Sequence, residues 1–314
     1  MPNLKKVLKK NKVICNLYFK FYRLWRGTLS VISPTLANKV FYFLEYKKMP
    51  NLKNPKNFHE KLIWLKLNTY NNNSIVTQCA DKYKVREYIK NQGYSFILNE
   101  LIGVWDSVEE IDWNSLPDKF ALKCNHGCGY NIICINKENF DISHAEMQLK
   151  KWMKDEFWKK NAELQYKNIP KKIICESFLE TDSGMSPDDY KIYCFNGEPK
   201  AILHISDRNS EKKGVFMSPK WEFISTVNNR HNRYEKPDKI PEKPKTLEQM
   251  LEIAKNLSKP FPFVRVDLYE VNNKVVFGEL TFTPGSGIYT SETNIGGKTM
   301  GELLDISSEI ENNK

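Results

Sequence analysis

The sequence predicts an α+β fold with a helical, basic N-terminal segment. Runs of short strands are mixed with separate helices, and they do not form the regular strand–helix repeat of a parallel βαβ array. Hydrophobic residues make up 40% of the 314 residues and aromatic residues 12%, which is enough for a packed core. This composition excludes a disordered chain and allows one large domain or two to three small ones.

The positive charge is concentrated at the N-terminus. The first 56 residues carry 13 Lys and Arg against one acid, Glu45, whereas the remaining 258 residues carry 35 bases and 37 acids. The near-neutral body therefore lacks the basic face expected of a nucleic-acid-binding protein. Within the segment, apolar residues recur at helical spacing; they are Leu4, Val7, Leu8, Ile14, Tyr18, Phe21, Tyr22 and Trp25. Two interpretations remain open: residues 1–30 contact an anionic membrane surface, or the helix docks on its own domain with a solvated basic face.

The cysteines and the N-terminus predict a cytoplasmic protein. The seven cysteines are an odd number without paired spacing, and the apolar stretch "VICNLYF" is short and lacks a small-residue cleavage site. No apolar run approaches the roughly 20 residues of a membrane span. We therefore expect a cytoplasmic protein, peripheral on the inner face of the membrane if the basic helix binds there.

Helices dominate the next part of the chain. Residues 47–57 are rich in Pro, Asn and Lys and predict a linker. A helix is predicted over 57–68, with Asn57 as its N-cap and Glu60 closing a capping box. A second helix is predicted over 80–93, followed by a strand within 95–107.

From residue 117 the pattern changes to strands. Short strands are predicted at 118–124 and 171–180, and a hairpin within 189–206 turns at Asn196-Gly197. Helices are predicted over 144–166, over 246–258 and from about residue 297. The last two strands are "FVRVDLYEV" and "KVVFGELTF".

These last two strands carry the most chemistry. Alternation puts Arg265, Asp267 and Tyr269 on one face of the first strand, and Val275, Phe277, Glu279 and Thr281 on one face of the second. Strands are depleted in Glu, and a buried carboxylate is costly unless it is paired or bound to a metal. The question is whether the two sets meet.

The hairpin loop decides which residues are paired. A two-residue turn at Asn272-Asn273 would pair Asp267 with Gly278. A three-residue loop would pair Asp267 with Glu279 and Arg265 with Thr281. We favour the three-residue loop, because adjacent carboxylates repel unless a cation lies between them. Oxygen ligands with open positions suit Mg²⁺ that bridges phosphates. The alternative is a surface hairpin with a solvated Glu279.

Two further stretches could bind a nucleotide. Lys123 lies near the end of an apolar strand, and the loop that follows, with Gly127 and Gly129, could cradle phosphates or be a plain turn. The alternating Cys124, His126 and Cys128 do not have the usual zinc spacing. Glu176, in "IICESFLE", and the backbone beside it could bind the adenine and ribose of a nucleotide, or this stretch could be an ordinary strand end. "GGKT" at 296–299 is rejected as a P-loop, since its first glycine would fall at Glu292.

Taken in order, these motifs resemble the TupA-like ATP-grasp family over about residues 50–305. The stretches that carry the resemblance are "FHEKLIWLK", "ADKYKVREYI", "FALKCNHGCG", "DYKIYCFNGEPK" and "RVDLYEVNNKVVFGELTFTPGSG". The resemblance implies two α+β subdomains that sandwich ATP. It divides the chain into 1–50 (basic segment), 51–115 (helical region), 116–182 (small subdomain) and 183–314 (large subdomain with the metal site).

The resemblance also implies roles for individual residues. Lys123, Gly127 and Gly129 would contact the ATP phosphates, and the nucleoside contacts would be Glu176, Ser177, Phe178, Leu179, Glu180 and Asp182. Asp267, Glu279 and Thr281 would hold Mg²⁺, although ATP-grasp ligases usually have Asn where this chain has Thr281. Lys191 and Arg265 would act at the transferring phosphoryl group. His204, Arg208 and Lys298 are candidates for substrate contact, with packing or surface roles as alternatives.

The activity implied is an ATP- and Mg²⁺-dependent carboxylate–amine ligase. The family is associated with teichuronopeptide, capsule and exopolysaccharide synthesis, so the expected substrates are a uronic acid of a glycan or lipid-linked glycan and an amino acid. The alternatives are a glycosyltransferase of the same pathway and a membrane-associated assembly factor without catalysis.

Overall fold

The computed structural model describes residues 12–182, 184, 186–206, 211–227 and 234–313, with the backbone alone for residues 12–19. It confirms the predicted α+β class and the helical N-terminal segment: two antiparallel sheets are flanked by helices. The first 11 residues of the predicted basic segment and the candidate Arg208 lie outside the described residues.

Two helices form the N-terminal segment. Helix α1 spans Lys12–Ile32 and α2 spans Pro34–Tyr46. Ser33 separates them, and its hydroxyl accepts a hydrogen bond from the backbone N–H of Leu36 at 3.2 Å, which caps α2. Trp25 of α1 and Phe41 of α2 pack on the body in a small core that includes Ile63. One face of this segment therefore docks on its own domain.

Three helices lead into the first sheet: α3 Phe58–Leu67, α4 Ser74–Ala80 and α5 Val85–Asn91. The predicted capping box is confirmed, since Asn57 accepts from the Glu60 N–H at 2.9 Å while Glu60 accepts from the Asn57 N–H at 3.4 Å. The helix predicted over 80–93 is shorter than expected. Asp81 accepts from the N–H groups of Tyr83 and Lys84 in a turn, and α5 begins only after it.

The first sheet has four antiparallel strands in the order β1-β4-β2-β3: β1 Leu101–Trp105, β2 Phe120–Cys124, β3 Asn131–Cys134 and β4 Ile173–Ser177. The strand predicted within 95–107 is preceded by a 3₁₀ turn over Ser95–Ile97. Helix α6, Ile142–Lys154, packs on this sheet and ends 12 residues before the predicted 166. The chain turns extended at Asp155, whose carboxylate accepts from the Tyr130 hydroxyl.

The second sheet has six antiparallel strands in the order β10-β9-β5-β6-β7-β8. They are β5 Asp189–Phe195, β6 Glu198–Ser206, β7 Lys213–Met217, β8 Phe223–Thr226, β9 Phe263–Val271 and β10 Lys274–Thr281. The predicted Asn196-Gly197 turn is confirmed, with φ of 49° and 80°. Helix α7, Leu247–Ser258, packs on the sheet through an apolar face. The largest core lies between this sheet, α7 and helices α3 to α5.

The chain ends in small elements: β11 Asn294–Ile295, β12 Lys298–Thr299, α8 Met300–Leu303 and α9 Ser307–Asn312. "GGKT" forms the turn and second strand of the β11–β12 hairpin, which agrees with its rejection as a P-loop. Among the described helices, none has both the length and the apolar composition required to cross a bilayer.

Candidate active site

The β9–β10 hairpin pairs Asp267 with Glu279 and Arg265 with Thr281, as predicted. The predicted reason is wrong, however. Its loop is the two-residue turn, with Val271 opposite Lys274. A β-bulge between Phe277 and Glu279 adds one residue to β10, and this extra residue brings Glu279 opposite Asp267.

The bulge also changes which side chains face the core. Before it, Val275 and Phe277 are buried in the main core; after it, Leu280 and Phe282 are buried there. The sequence prediction that Val275 and Phe277 share a face with Glu279 is therefore wrong. A strict period of two does not hold across a bulge. Glu279 and Thr281 therefore face away from the core, on the opposite side of the sheet.

Gly278, the residue at the bulge, has no room for a side chain. A Cβ there would lie 2.9 Å from the Asp267 carbonyl oxygen and 3.1 Å from the Tyr269 ring. Ordinary van der Waals contact begins at about 3.4 Å, so the backbone of β9 would have to move. Glycine therefore allows the two strands to approach at the point where the carboxylates meet.

Charged residues form two adjacent rows across three strands. Lys191 of β5 is opposite Asp267 of β9, which is opposite Glu279 of β10. In the next row, Arg265 of β9 lies between Tyr193 and Thr281. Because directly opposed side chains share a face, the candidate cations and carboxylates project to the same side of the sheet.

Hydrogen bonds join the two rows. Arg265 donates to both carboxylate oxygens of Asp267, at 2.6 Å each, and Lys191 donates to Asp267 Oδ2 at 2.8 Å. The Thr281 hydroxyl donates to Glu279 Oε1 at 3.0 Å and accepts from Arg265 at 3.1 Å. Every predicted metal ligand and both predicted catalytic cations thus lie in one bonded cluster.

A third cation, Lys82, was missed from the sequence. Its Nζ donates to Glu279 Oε2 at 3.1 Å. It lies in the Asp81 turn between α4 and α5, far from the hairpin in sequence. In the sequence near Lys82, only Asp81 indicates a turn. A turn by itself does not show that the Lys82 side chain reaches the second sheet.

The cations determine the protonation of this cluster. Burial alone would raise the pKa of the Glu279 carboxyl, but the charges of Lys82, Arg265 and Lys191 lower it far below its ordinary value. Burial likewise opposes the charge of Lys191, and the Asp267 carboxylate raises the pKa of that ammonium above its usual range. At neutral pH Glu279 is therefore ionised and Lys191 is protonated.

On the first sheet, Lys123 and Glu176 form an ion pair. Lys123 Nζ donates to Glu176 Oε2, and Arg86 donates to Glu176 Oε1 at 3.3 Å. The glycine loop begins at Asn125, whose amide donates to Asp81 Oδ1 at 2.8 Å. The turn that carries Lys82 is thus bonded to the loop that follows Lys123.

The tip of the glycine loop lies near the hairpin. Desolvation raises the pKa of the Cys128 thiol, between Gly127 and Gly129, and the charge of Glu279 raises it further. Partly buried Tyr166 responds to the same carboxylate: desolvation raises its pKa, followed by the charges of Glu163 and Glu279. The charge of Glu279 therefore acts on both the loop tip and Tyr166.

The predicted nucleoside contacts lie on β4 and the linker after it. The backbone N–H of Ser177 donates to Glu100 O at 3.1 Å, and its carbonyl accepts from the Asn99 side chain at 2.7 Å. This leaves Phe178 and Leu179, both partly exposed, as the candidates for backbone contact. Both acids of the linker have partners on neighbouring elements. The Glu180 carboxylate pairs with Lys119 at 2.8 Å, and the Asp182 backbone N–H donates to Asn272 Oδ1 at 3.0 Å.

The two candidate substrate residues that the structure describes, His204 and Lys298, are not part of the charged cluster. His204 is buried, packs against the Tyr190 and Trp221 rings, and lies 2.9 Å from Asp188 Oδ2. Lys298 is exposed on the small β11–β12 hairpin. These positions correspond to the packing and surface roles that the sequence left open for them.

A buried polar network, not predicted from the sequence, supports the chain just after Thr281. Glu163 accepts from the Thr283 hydroxyl at 2.8 Å and from the Ser286 hydroxyl at 3.0 Å. Lys66 donates to the Ser286 carbonyl at 2.8 Å. Ser286 has a φ of 59°, between two glycines that are also left-handed. The network thus stabilises a strained turn beside the candidate site.

Among the described residues, no group of three or more His, Cys, Asp or Glu is arranged to hold a metal ion. A Mg²⁺ site here would depend on the Asp267–Glu279 pair. That pair fits the ion, since Mg²⁺ is commonly bound by one or two carboxylates together with substrate phosphates. In this structure Asp267 is paired with Lys191 and Arg265, and Glu279 with Lys82.

Comparison with known proteins supports the resemblance seen in the sequence. A family model described as "TupA-like ATPgrasp" matches residues 60–304, more than three quarters of the chain. No curated protein matches the sequence.

Solved structures show weak similarity. D-alanine–D-alanine ligase from Bacillus anthracis is 15% identical over 65% of this chain and 57% of its own, with a TM-score of 0.40. The Helicobacter pylori D-alanine–D-alanine ligase is 16% identical over 67% and 55%, with a TM-score of 0.38. L-amino acid ligase from Bacillus licheniformis is 12% identical over 67% and 42%, also at 0.38. The match spans less than two thirds of each of those proteins.

Proposed function

The chain belongs to the TupA-like ATP-grasp family, and from this membership and the site geometry we propose that it is an ATP-dependent carboxylate–amine ligase. The observation that carries the proposal is the row Lys191–Asp267–Glu279, with Arg265 bonded beside it. This row combines carboxylates for a divalent metal with cations for a phosphoryl group, which are the two demands of phosphoryl transfer.

The proposed reaction has two steps. The carboxylate of one substrate attacks the γ-phosphorus of ATP, which forms an acyl phosphate and releases ADP. An amine of the second substrate then attacks the acyl carbon, expels inorganic phosphate, loses a proton and leaves an amide. The protein supplies no nucleophile, so its task is to position the substrates and stabilise charge.

Individual side chains take distinct parts in this scheme. Lys123 and the Gly127–Gly129 loop bind the phosphates, and Glu176 lies beside the nucleoside. Lys191 and Arg265 stabilise negative charge on the transferring phosphoryl group, because both remain protonated at neutral pH.

Asp267 and Glu279 would hold Mg²⁺, with the Thr281 hydroxyl as a weaker oxygen ligand. When bound, the ion neutralises charge on the phosphates. Lys82 keeps the Glu279 carboxyl ionised, since its charge is the first of three that lower the pKa of that group against burial. The chain thus keeps the Glu279 carboxylate ionised for a cation.

The substrates proposed are an amino acid and a uronic acid of a cell-surface polysaccharide or its lipid-linked precursor. This part rests on the association of the family with capsule, exopolysaccharide and teichuronopeptide synthesis. The family membership supports the substrate class, and the identity of the sugar and amino acid is left to the assay.

The test is a thermal-shift and ADP-release assay. We expect ATP with Mg²⁺ to raise the melting temperature, and ADP release to require both a uronic acid and an amino acid from a panel. Glu279→Gln should abolish the Mg²⁺-dependent part of the shift. Glu252→Gln, the same change at an exposed position of α7, should leave it intact.

Two results would reject the proposal. Stabilisation by UDP-sugars but not by ATP or ADP would favour the glycosyltransferase alternative. A Glu279→Gln protein with wild-type ATP-dependent ADP release would show that the hairpin is not the metal site.

A further inference from the structure

Helices α1 and α2 expose an unusual amount of apolar surface. Within the described residues, fifteen large hydrophobic side chains are exposed, and eight of them lie between residues 21 and 49. They are Phe21, Leu24, Val31, Ile32, Leu36, Phe43, Leu44 and Met49. Leu24 is 68% exposed and Ile32 is 73% exposed. A patch that concentrates such residues indicates an interaction site.

This apolar face is separate from the face that docks on the body. Arg26, on the inner side of α1, is 4% exposed, donates to the Lys160 carbonyl at 3.2 Å and lies 3.6 Å from the centroid of the Phe41 ring. Trp25 and Leu29 pack in the same core. Because these contacts fix the inner face of α1 on the body, the helix cannot rotate to bury its exposed apolar residues in the protein's own core.

Positive charge surrounds the exposed apolar residues. Residues 20–49 contain six Lys and Arg against one acid, Glu45. Lys20, Arg23, Lys47 and Lys48 are exposed, whereas Arg26 is buried. Amphipathic helices with apolar and basic residues together are typical of proteins that lie in the interface of an anionic bilayer.

A groove runs beside the apolar face. It has a volume of about 890 Å³ and lies between α1 and residues 155–161. Leu24, Val31 and Ile32 contribute apolar walls, and Arg23 and Lys159 add positive charge. The two acids of the lining, Asp155 and Glu156, are paired with Lys160 and Lys171. A groove of this chemistry can accept acyl chain and anionic headgroup together.

We propose that the exposed side chains of residues 20–49, hereafter the α1–α2 surface, bind an anionic lipid membrane. A second copy of the chain would bring the same positive charge to the interface and would be repelled. Nucleic acid would satisfy the charge but leave the apolar side chains in water. An anionic bilayer would bury the apolar side chains and pair with the basic ones, so it is the partner that fits the whole surface.

The experiment uses the full chain and sedimentation with lipid vesicles. We expect binding to phosphatidylcholine vesicles that contain about one third phosphatidylglycerol, and at least about tenfold weaker binding to phosphatidylcholine alone. Added salt should weaken the binding, because it screens exposed charges.

Matched variants separate the two contributions. Leu24→Ser with Ile32→Ser should abolish sedimentation, whereas Phe96→Ser with Ile240→Ser, at positions 64% and 61% exposed elsewhere, should not. Lys20→Glu with Arg23→Glu should weaken binding by at least roughly 25-fold, since loss of each cation alone costs about fivefold and the new carboxylates add repulsion. Lys220→Glu with Lys236→Glu, two exposed lysines outside the surface, should have no such effect.

The outcome that overturns the proposal is equal binding to neutral and anionic vesicles, no binding to either, or equal loss in the control variants. If the serine variant fails to fold, the charge variant decides. A wild-type chain that dimerises in solution through Leu24, with no vesicle binding, would assign the surface to a second copy instead.

Discussion

Replacing Gly278 with alanine should destabilise the protein and weaken the site together. The new Cβ would approach the Asp267 carbonyl oxygen to 2.9 Å, about half an ångström closer than ordinary contact. That oxygen belongs to the backbone of a paired strand, so it cannot rotate away as a flexible side chain could. Overpacking of this kind costs about 1–3 kcal/mol. The free energy of unfolding should fall by that amount, because strand β9 or the bulge must shift.

The assay is urea unfolding followed by tryptophan fluorescence, with the thermal shift from ATP and Mg²⁺ measured on the same samples. We expect a lower midpoint with an unchanged slope, and a smaller nucleotide shift, because the strain lies directly at the Asp267–Glu279 pair. Gly27→Ala is the control, since a Cβ in that helical position has only Lys159 Cβ within 4 Å, at 3.9 Å. It should be neutral or stabilise by up to about 1 kcal/mol. If Gly278→Ala matched wild type in both measurements, the bulge would not depend on the missing side chain.

Three further perturbations test charges that the fold buries. Lys82→Met should lower the free energy of unfolding at pH 7 by about 1–3 kcal/mol, because Glu279 loses a charged hydrogen bond. That deficit should shrink below about pH 4, since a carboxyl of lowered pKa loses its stabilising effect as it is protonated. Burial lowers the pKa of His59 to about 4, so wild-type stability should fall by about 2 kcal/mol between pH 8 and pH 5, a loss that His59→Asn should not show. Lys66→Met leaves Glu163 buried without its counter-charge and should cost about 3–5 kcal/mol, part of which Glu163→Gln should restore in the double variant.

Each of these has a result that contradicts it. For Lys82, a deficit that is constant from pH 7 to pH 3.5 would mean that the ion pair is not its source. For His59, parallel stability curves of variant and wild type across pH 5 to 8 would show that the ring titrates normally. For Lys66, a double variant as unstable as the sum of the two single variants would show that the pair is not coupled.

Features set by neighbouring residues could be predicted from the sequence. The Asn57–Glu60 capping box and the Asn196-Gly197 turn each depend on residues a few positions apart, and both are present. Helix α6 was predicted too long. The helical spacing of apolar residues continues past Lys154, but the helix ends there. Asp155 bonds to the distant Tyr130, which local periodicity cannot indicate.

In the site, too, some features could be predicted from the sequence and others depend on distant contacts. The pairing of Asp267 with Glu279 was predicted from the chemistry of the two carboxylates, although the loop length proposed for it was wrong. The bulge at Gly278 was not predicted, because a glycine within a strand has several possible causes. Lys82 reaches the hairpin from 197 residues away in sequence, and only the packing of α4 and α5 on the large core brings it there.

The turn at residues 81–84, between α4 and α5, has a mechanical consequence. Asp81 bonds to Asn125 of the glycine loop, and Arg86, at the start of α5, bonds to Glu176 of β4, so the turn is attached on both sides to the first sheet and its loop. The helices on either side are packed in the core of the second sheet. We expect that any opening of the first sheet against the second rotates about this turn as a fulcrum. Lys82, located on the fulcrum itself, would then move least.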